Sequence, residues 1–276
     1  MSGARIYKML NFTWRWVGTA LSFMVFGIGS FLLGIVIMPL IVHLVRDEGR
    51  RTRWSRLLVG KAMHFFLFFM STVGVLRYEI SGAENIRTEN NYLIVANHPS
   101  LIDVVFLLSM FPMADCVIKQ ALRENFWTKH LMKGVGYISN RDPTEWLENC
   151  VARLRDGESL ILFPEGTRTV PGEPLNFKAG AAAVAVRAGI DCLPIIISCT
   201  PTTLTKAEHW YQVPDRRVFF SISVQPPIST GEAVANAADE RQAGRSFNNL
   251  LLDFFASRIP ADRTQPADGQ PAVGVG

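Results

Sequence analysis

Where a β-rich run, Tyr92–Ala96, gives way to an apolar helical pattern, the chain reads Asn97-His98-Pro99-Ser100-Leu101-Ile102-Asp103. An imidazole and a carboxylate can together activate a substrate hydroxyl: His98 accepts the proton, while Asp103 fixes the ring tautomer and stabilises the imidazolium that forms. Pro99 suits a first helical turn and pushes the residue before it out of helical geometry, so His98 is expected at the strand-to-helix corner, its ring free to face a cleft. Asp103, one turn on, can reach back to the ring nitrogen remote from the substrate. The same spacing also serves a helix-start capping arrangement, so the pair acquires its chemical meaning only from the rest of the chain.

Further along, the apolar run Leu160–Phe163 ends in Pro164-Glu165-Gly166-Thr167-Arg168. Gly166 permits a tight turn with close backbone approach, Arg168 can neutralise a phosphate, and Glu165 can accept a hydrogen bond from a polyol hydroxyl. Without that chemistry the string is a Pro-Gly turn with a surface Glu–Arg pair. In Gly136-Tyr137-Ile138-Ser139-Asn140-Arg141, the Arg141 guanidinium can hold a phosphate through two hydrogen bonds or serve as a solvated loop charge. Lys119 follows an apolar run, and Lys178 sits in Phe177-Lys178-Ala179-Gly180 ahead of an alanine-rich helix; both admit the same two readings. Leu193-Pro194-Ile195-Ile196-Ile197 is an apolar strand whose central proline marks an edge, an end or a bulge.

Taken in order, these strings resemble the blocks of the glycerolipid and lysophospholipid acyltransferase family, whose members include 1-acylglycerol-3-phosphate acyltransferases. The first matches N-H-x-x-x-x-D. The second matches a glycine and apolar residues ahead of an acidic or amide residue and arginine, with Asn140 in place of the commoner aspartate. Phe163 to Arg168 matches F-P-E-G-T-R completely, and the strand around Pro194 matches the fourth block. The resemblance covers about residues 76–224. It implies an α/β fold with a mixed central sheet flanked by helices, preceded by an N-terminal membrane-associated helical region. It also implies transfer of a fatty acyl group from acyl-CoA or acyl carrier protein to the hydroxyl of a lysophospholipid, most simply 1-acyl-sn-glycerol-3-phosphate, in phospholipid biosynthesis. His98 and Asp103 are then the catalytic pair, and Lys119, Arg141, Glu165, Gly166, Thr167, Arg168 and Lys178 bind substrate. Neither a metal nor a cofactor is called for. The same chemistry on another acceptor, and a non-catalytic lipid-binding membrane protein, remain the competing expectations; a serine hydrolase lacks its G-x-S-x-G elbow.

The scaffold that must position these residues is legible as short β-rich runs alternating with helical patterns, the signature of an α/β domain. Strands are expected at Leu76–Ile80, Tyr92–Ala96, Cys116–Lys119, Leu160–Phe163, Cys192–Ser198 and Val218–Val224, and helices at Leu101–Met110, Thr144–Arg155, Ala179–Ala188 and Asp239–Ile259. Upstream, no charged residue occurs between Arg15 and Arg46, and Val17–Val42 is long enough to cross a hydrocarbon core as a helix. A cleaved signal peptide would carry a shorter apolar region and a small-residue cleavage site. The basic flank after the run, Arg46 to Lys61, favours a cytoplasmic C-terminal side, so the expected location is the cytoplasmic membrane with the catalytic domain facing the cytoplasm. A second apolar stretch, Met63–Leu76, is expected either to lie in the membrane interface or to be a buried helix.

With 49% hydrophobic and 19% charged residues among 276, the chain has material for a sizeable core, and disorder is excluded as its general state. A mean hydropathy of +0.18 suits a membrane-associated globular protein. The formal net charge of +4 offers no support for nucleic-acid binding. Cys116, Cys150, Cys192 and Cys199 have no paired C-x-x-C spacing and are expected as free thiols in a reducing compartment. The expected organisation is a membrane-anchoring helical region over 1–75, the catalytic domain over 76–259 and a disordered Pro/Gly/Ala-rich tail over 260–276.

Overall fold

The structure, a computed structural model, describes residues 3–259 except 88, 119, 121–123, 125–127, 141 and 171. The expected tail, 260–276, and the candidate site residues Lys119 and Arg141 therefore lie outside the described residues.

The chain begins with a helix, α1 (Gly3–Phe31), that continues through a π-helical stretch, Leu32–Ile37, into α2 (Met38–Leu44). The widened turn precedes Pro39, which has no N–H to give and whose ring would crowd the carbonyl four residues back in a regular α-helix. After a short turn, Asp47 caps α3 (Glu48–Val73) by accepting the Arg50 N–H at 2.7 Å. Gly74, at φ +86°, ends α3 in the left-handed conformation that glycine tolerates. The basic segment and the apolar stretch read as separate from hydropathy are thus one 26-residue helix. Its Val59, Phe66, Leu67 and Met70 are buried, while Phe65 and Phe68 are exposed, so it is both a core helix and an apolar surface.

The strands are β1 (Leu76–Ser81), β2 (Leu93–Ala96), β3 (Asp115–Ile118), β4 (Ile138–Ser139), β5 (Leu160–Leu162), β6 (Cys192–Thr200) and β7 (Val218–Val224). They form one sheet in the order β1-β7-β6-β2-β5-β3-β4. Every neighbouring pair is parallel except β6 with β7, which makes the sheet mixed. The two-residue β4 escaped the sequence reading because it is too short to show alternation.

Alternation along the central β2 supplies both cores: Ile94 and Ala96 face one side, Leu93 and Val95 the other. The first side is covered by α3 and by α4 (Asp103–Met110), with Phe106, Leu107 and Phe220 fully buried. The second is covered by α6 (Pro143–Arg155), α7 (Gly180–Ala188) and α9 (Glu240–Ala256), which bury Leu154, Val184, Phe247 and Phe255. Among the described residues the remaining α-helices are the short α5 (Lys129–Val135) and α8 (Gly231–Ala235), and all four cysteines are free and buried.

α3 is locked to the sheet by a buried charge. Arg56, with only 4% of its side chain exposed, donates to the Val135 and Met113 carbonyls at 2.9 Å each. It also pairs with Glu158 at 2.8 Å and Asp115 at 3.1 Å. Arg153 reaches the same two carboxylates from its more exposed position on α6. Arg56→Met should destabilise the protein by about 3–5 kcal/mol, because it leaves Asp115 buried without its principal counter-charge. Arg153→Met should cost about 1 kcal/mol or less, as expected for a solvated pair. Thermal unfolding of the two purified variants measures the difference.

Candidate active site

Because β2, β5, β3 and β4 are mutually parallel, their C-terminal ends share one edge of the sheet, and the residues that follow them meet there. Asn97 leaves β2 and turns its amide onto β6, donating to the Ile197 carbonyl at 2.7 Å and accepting its N–H at 2.8 Å. The end of β2 is thereby held at a single height against its neighbour. His98 follows, and its main chain is strapped to the loop after β5: its N–H donates to Glu165 Oε1 at 3.0 Å, and its carbonyl accepts the Thr169 N–H at 2.7 Å.

The His98 ring lies over Phe163, with centroids 4.2 Å apart and planes 22° from parallel. Its Nδ1 is 3.0 Å from Asp103 Oδ2, and 13% of the side chain is exposed. Asp103 opens α4 with no side-chain exposure at all. The same Oδ2 accepts the Ser100 N–H at 2.6 Å, so the turn-capping and dyad readings of the spacing are both realised by one oxygen. Oδ1 is buried with no hydrogen-bond partner among the described residues. Burial pushes the Asp103 carboxyl up to about 6, against the opposing pull of His98 and the Ser100 N–H. At neutral pH it is an anion beside the imidazole.

Glu165 is built into the frame of the site. Its buried Oε1 accepts the His98 N–H and the Thr169 hydroxyl, the latter at 2.8 Å, and burial raises its pKa. Gly166 has φ +67°, and a Cβ there would lie 2.8 Å from Lys178 Nζ. The lysine amine therefore crosses the turn where any side chain would obstruct it. Thr167 is exposed beside it. Arg168 donates one arm of its fork to the carbonyls of Leu204, at 2.8 Å, and Thr205, at 2.9 Å. Leu204 also accepts the Leu101 N–H at 3.2 Å, which ties the β6–β7 loop to the segment between His98 and Asp103.

His98, Asp103, Glu165, Gly166, Thr167, Arg168 and Lys178 are thus gathered around the ends of β2 and β5. Lys119 and Arg141 lie outside the described residues, although the strands next to them, β3 and β4, end on the same edge. Asn97, Phe163, Thr169 and Leu204 were not singled out as site residues from the sequence. Asn97 and Phe163 at least stand inside the informative strings, whereas Leu204 takes part through its backbone carbonyl, which leaves no signature in the sequence.

The family model described as Acyltransferase matches residues 77–198, the stretch that carries every one of these groups except the Leu204 loop. Residues 77–198 belong to the acyltransferase family. The acyltransferase domain is similar to curated proteins named 1-acyl-sn-glycerol-3-phosphate acyltransferase. A relative from Pseudomonas aeruginosa is 28% identical over 189 residues, 65% of this chain and 70% of that protein. The alpha form from Mus musculus is 27% identical over 179 residues, 62% of this chain. The match spans 61% of the length of that mouse protein. The fold is that of the 1-acyl-sn-glycerophosphate acyltransferase PlsC from Thermotoga maritima, with a TM-score of 0.64 at 19% identity over 88% of this chain and 97% of that one.

The burial of Asp103 has a measurable thermodynamic sign. A carboxyl whose folded pKa is raised binds its proton more tightly folded than unfolded, so its burial cost is absent below about pH 4 and grows until about pH 6. Asp103→Asn in the acyltransferase domain should therefore raise stability above pH 6 by up to about 3 kcal/mol, with the gain vanishing toward pH 4. Denaturant unfolding of both proteins at pH 4.5 and pH 8 tests this.

Proposed function

We propose that the chain transfers a fatty acyl group from an acyl thioester to the free hydroxyl of 1-acyl-sn-glycerol-3-phosphate. The observation that carries this reading is the 3.0 Å contact between His98 Nδ1 and a fully buried Asp103 carboxylate at the sheet edge. The activity for which the relatives are named supports the choice of acceptor.

With Nδ1–H turned to Asp103, Nε2 is the basic nitrogen left for substrate. It takes the hydroxyl proton as the oxygen attacks the thioester carbonyl, and the imidazolium rests against the carboxylate. Collapse of the tetrahedral intermediate breaks the C–S bond, and His98 returns the proton to the leaving thiolate. The products are the ester and the free thiol, with no acyl-enzyme. Arg168, already immobilised through one arm, presents the rest of its fork to the acceptor phosphate, with Lys178, Thr167, Arg141 and Lys119 contributing. Glu165 and Gly166 act by shaping the turn that holds them.

The reading includes a seat on the bilayer. The continuous helix from α1 through α2 touches the body of the protein at points spread along it. Arg15 donates to the Pro214 and Asp215 carbonyls at 2.5 and 2.6 Å, Phe23 packs on Trp210, and Met38 is buried near Gly134. Arg15 and Met38 are separated by about 35 Å of helix, roughly the thickness of a hydrocarbon core. A helix flanked by its own globular body over that distance fits the membrane interface better than a crossing. Its outer face, including Leu10, Phe12, Met24, Phe31 and Leu40, is exposed and apolar, as are Phe65 and Phe68 of α3. In this proposal the crossing expected for Val17–Val42 is replaced by in-plane burial on the cytoplasmic leaflet.

His98→Ala should lower kcat by about 10²–10⁴ with the fold retained, and Arg168→Lys should raise the acceptor KM even though the charge is kept. Both are measured by transfer of a radiolabelled acyl group to lysophosphatidic acid. Near-normal turnover of the His98 variant refutes the mechanism. For topology, Lys8→Cys and Gly49→Cys in a cysteine-free background should both react with an impermeant maleimide in inverted vesicles and in neither case in intact cells. Labelling of the two from opposite sides refutes in-plane burial.

A further inference from the structure

On the face of the sheet away from α1 and α3, α7 lies between two longer helices. α6 runs in the same direction: a Cβ on Gly180 would meet Trp146 at 3.0 Å, and at the other end Arg155 donates to the Arg187 carbonyl at 2.5 Å. α9 runs the opposite way, with Asn248 donating to the Phe177 carbonyl at 3.4 Å and Arg187 pairing with Glu240. The outward line of α7 carries Ala179, Ala183 and Arg187, four residues apart, and Gly244 of α9 stands beside Ala183.

These small residues leave a groove of about 490 Å³ between the helices, and a neighbouring hollow of about 340 Å³ shares Arg187 and Glu240 with it. Both volumes are on the scale of small-molecule sites. The groove begins at Ala179, next to the Lys178 whose amine crosses the Gly166 turn, and extends about 12 Å to Arg187. Arg187, Arg241 and Arg245 line the groove, and Arg155 lines the adjoining hollow. Among the described residues, no hydrogen bond or ion pair occupies the guanidinium of Arg241 or Arg245.

We propose that this groove binds a coenzyme A thioester as the acyl donor, with the phosphates of its nucleotide end on Arg241, Arg245 and Arg155. The pantetheine arm then lies over Ala179 and Ala183 toward Lys178 and His98. The assignment rests on the acyl-transfer reading, and it gives the donor an entrance on the face opposite the apolar helices, where a water-soluble molecule can approach. Forked guanidinium groups suit phosphate oxygens. A ligand-sized concavity favours a small molecule over a protein.

The test begins with free coenzyme A, which cannot react. Calorimetric titration should show binding to the wild-type protein, weakened about tenfold by Arg241→Ala or Arg245→Ala and more by the pair. In transfer assays each variant should raise the KM for acyl-CoA by a similar factor, leaving unchanged the KM for the acyl-pantetheine thioester, which has no nucleotide, and the KM for the acceptor. An unchanged titration in the double variant overturns the site. So does a loss confined to an acyl carrier protein donor, which makes the arginines a protein-docking surface instead. Arginine-dependent binding of coenzyme A by a wild-type protein that acylates no lysophospholipid leaves the groove standing and overturns the acyl-transfer reading.

Discussion

A carboxylate without solvent exposure must be answered by its neighbours, and Asp103 is that carboxylate. One of its oxygens holds the His98 ring and the Ser100 N–H together; the other finds no hydrogen-bond partner among the described residues. The arrangement costs stability at neutral pH, since burial favours the neutral acid. In return the negative charge cannot turn elsewhere, and an imidazolium beside it meets an acceptor already in place. Only a rigid setting can maintain such a charge, and the surrounding contacts supply that rigidity.

The setting is built mostly from main-chain bonds that cross long stretches of sequence. Asn97 ties β2 to β6, and Glu165 with Thr169 ties the loop after β5 to both backbone groups of His98. Arg168 and the Leu101 N–H meet at Leu204. Every strap lies at the C-terminal edge of the parallel strands, where successive chain segments emerge side by side. An acid in the motif that looks chemical, Glu165, is in this structure a strut for the histidine's backbone, and Arg168, the arginine proposed to meet the acceptor phosphate, is partly a strut as well.

Two faces of the sheet divide the remaining work. One carries α3 and α4, with α1 docked through Arg15 and Phe23, and turns a broad apolar surface outward. The other carries α6, α7 and α9, with a grooved and charged exterior. Between them the Arg56 cluster fixes α3 against β3 and the approach to β5, at the end of the sheet opposite the histidine. In the proposed reading, a lipid with its tail in a bilayer and a soluble thioester reach one edge from different sides.

What the sequence by itself determined is what is local. His98 and Asp103 lie within one turn, so their partnership follows from spacing and the proline between them; the strand ends follow from alternation broken by turn residues. Hydropathy, being an average along the chain, divided α3 into a basic and an apolar part, although its division is by face: Arg56 points inward to carbonyls while Phe65 and Phe68 point outward. The tertiary structure alone decided which distant groups meet. Asn97 with Ile197, Arg168 with Leu204 and Arg15 with Pro214 are contacts between a side chain and a backbone group. Every residue type except proline offers the same backbone N–H and carbonyl, so no residue identity marks the partner, and only the folding of the chain into a sheet brings the two together.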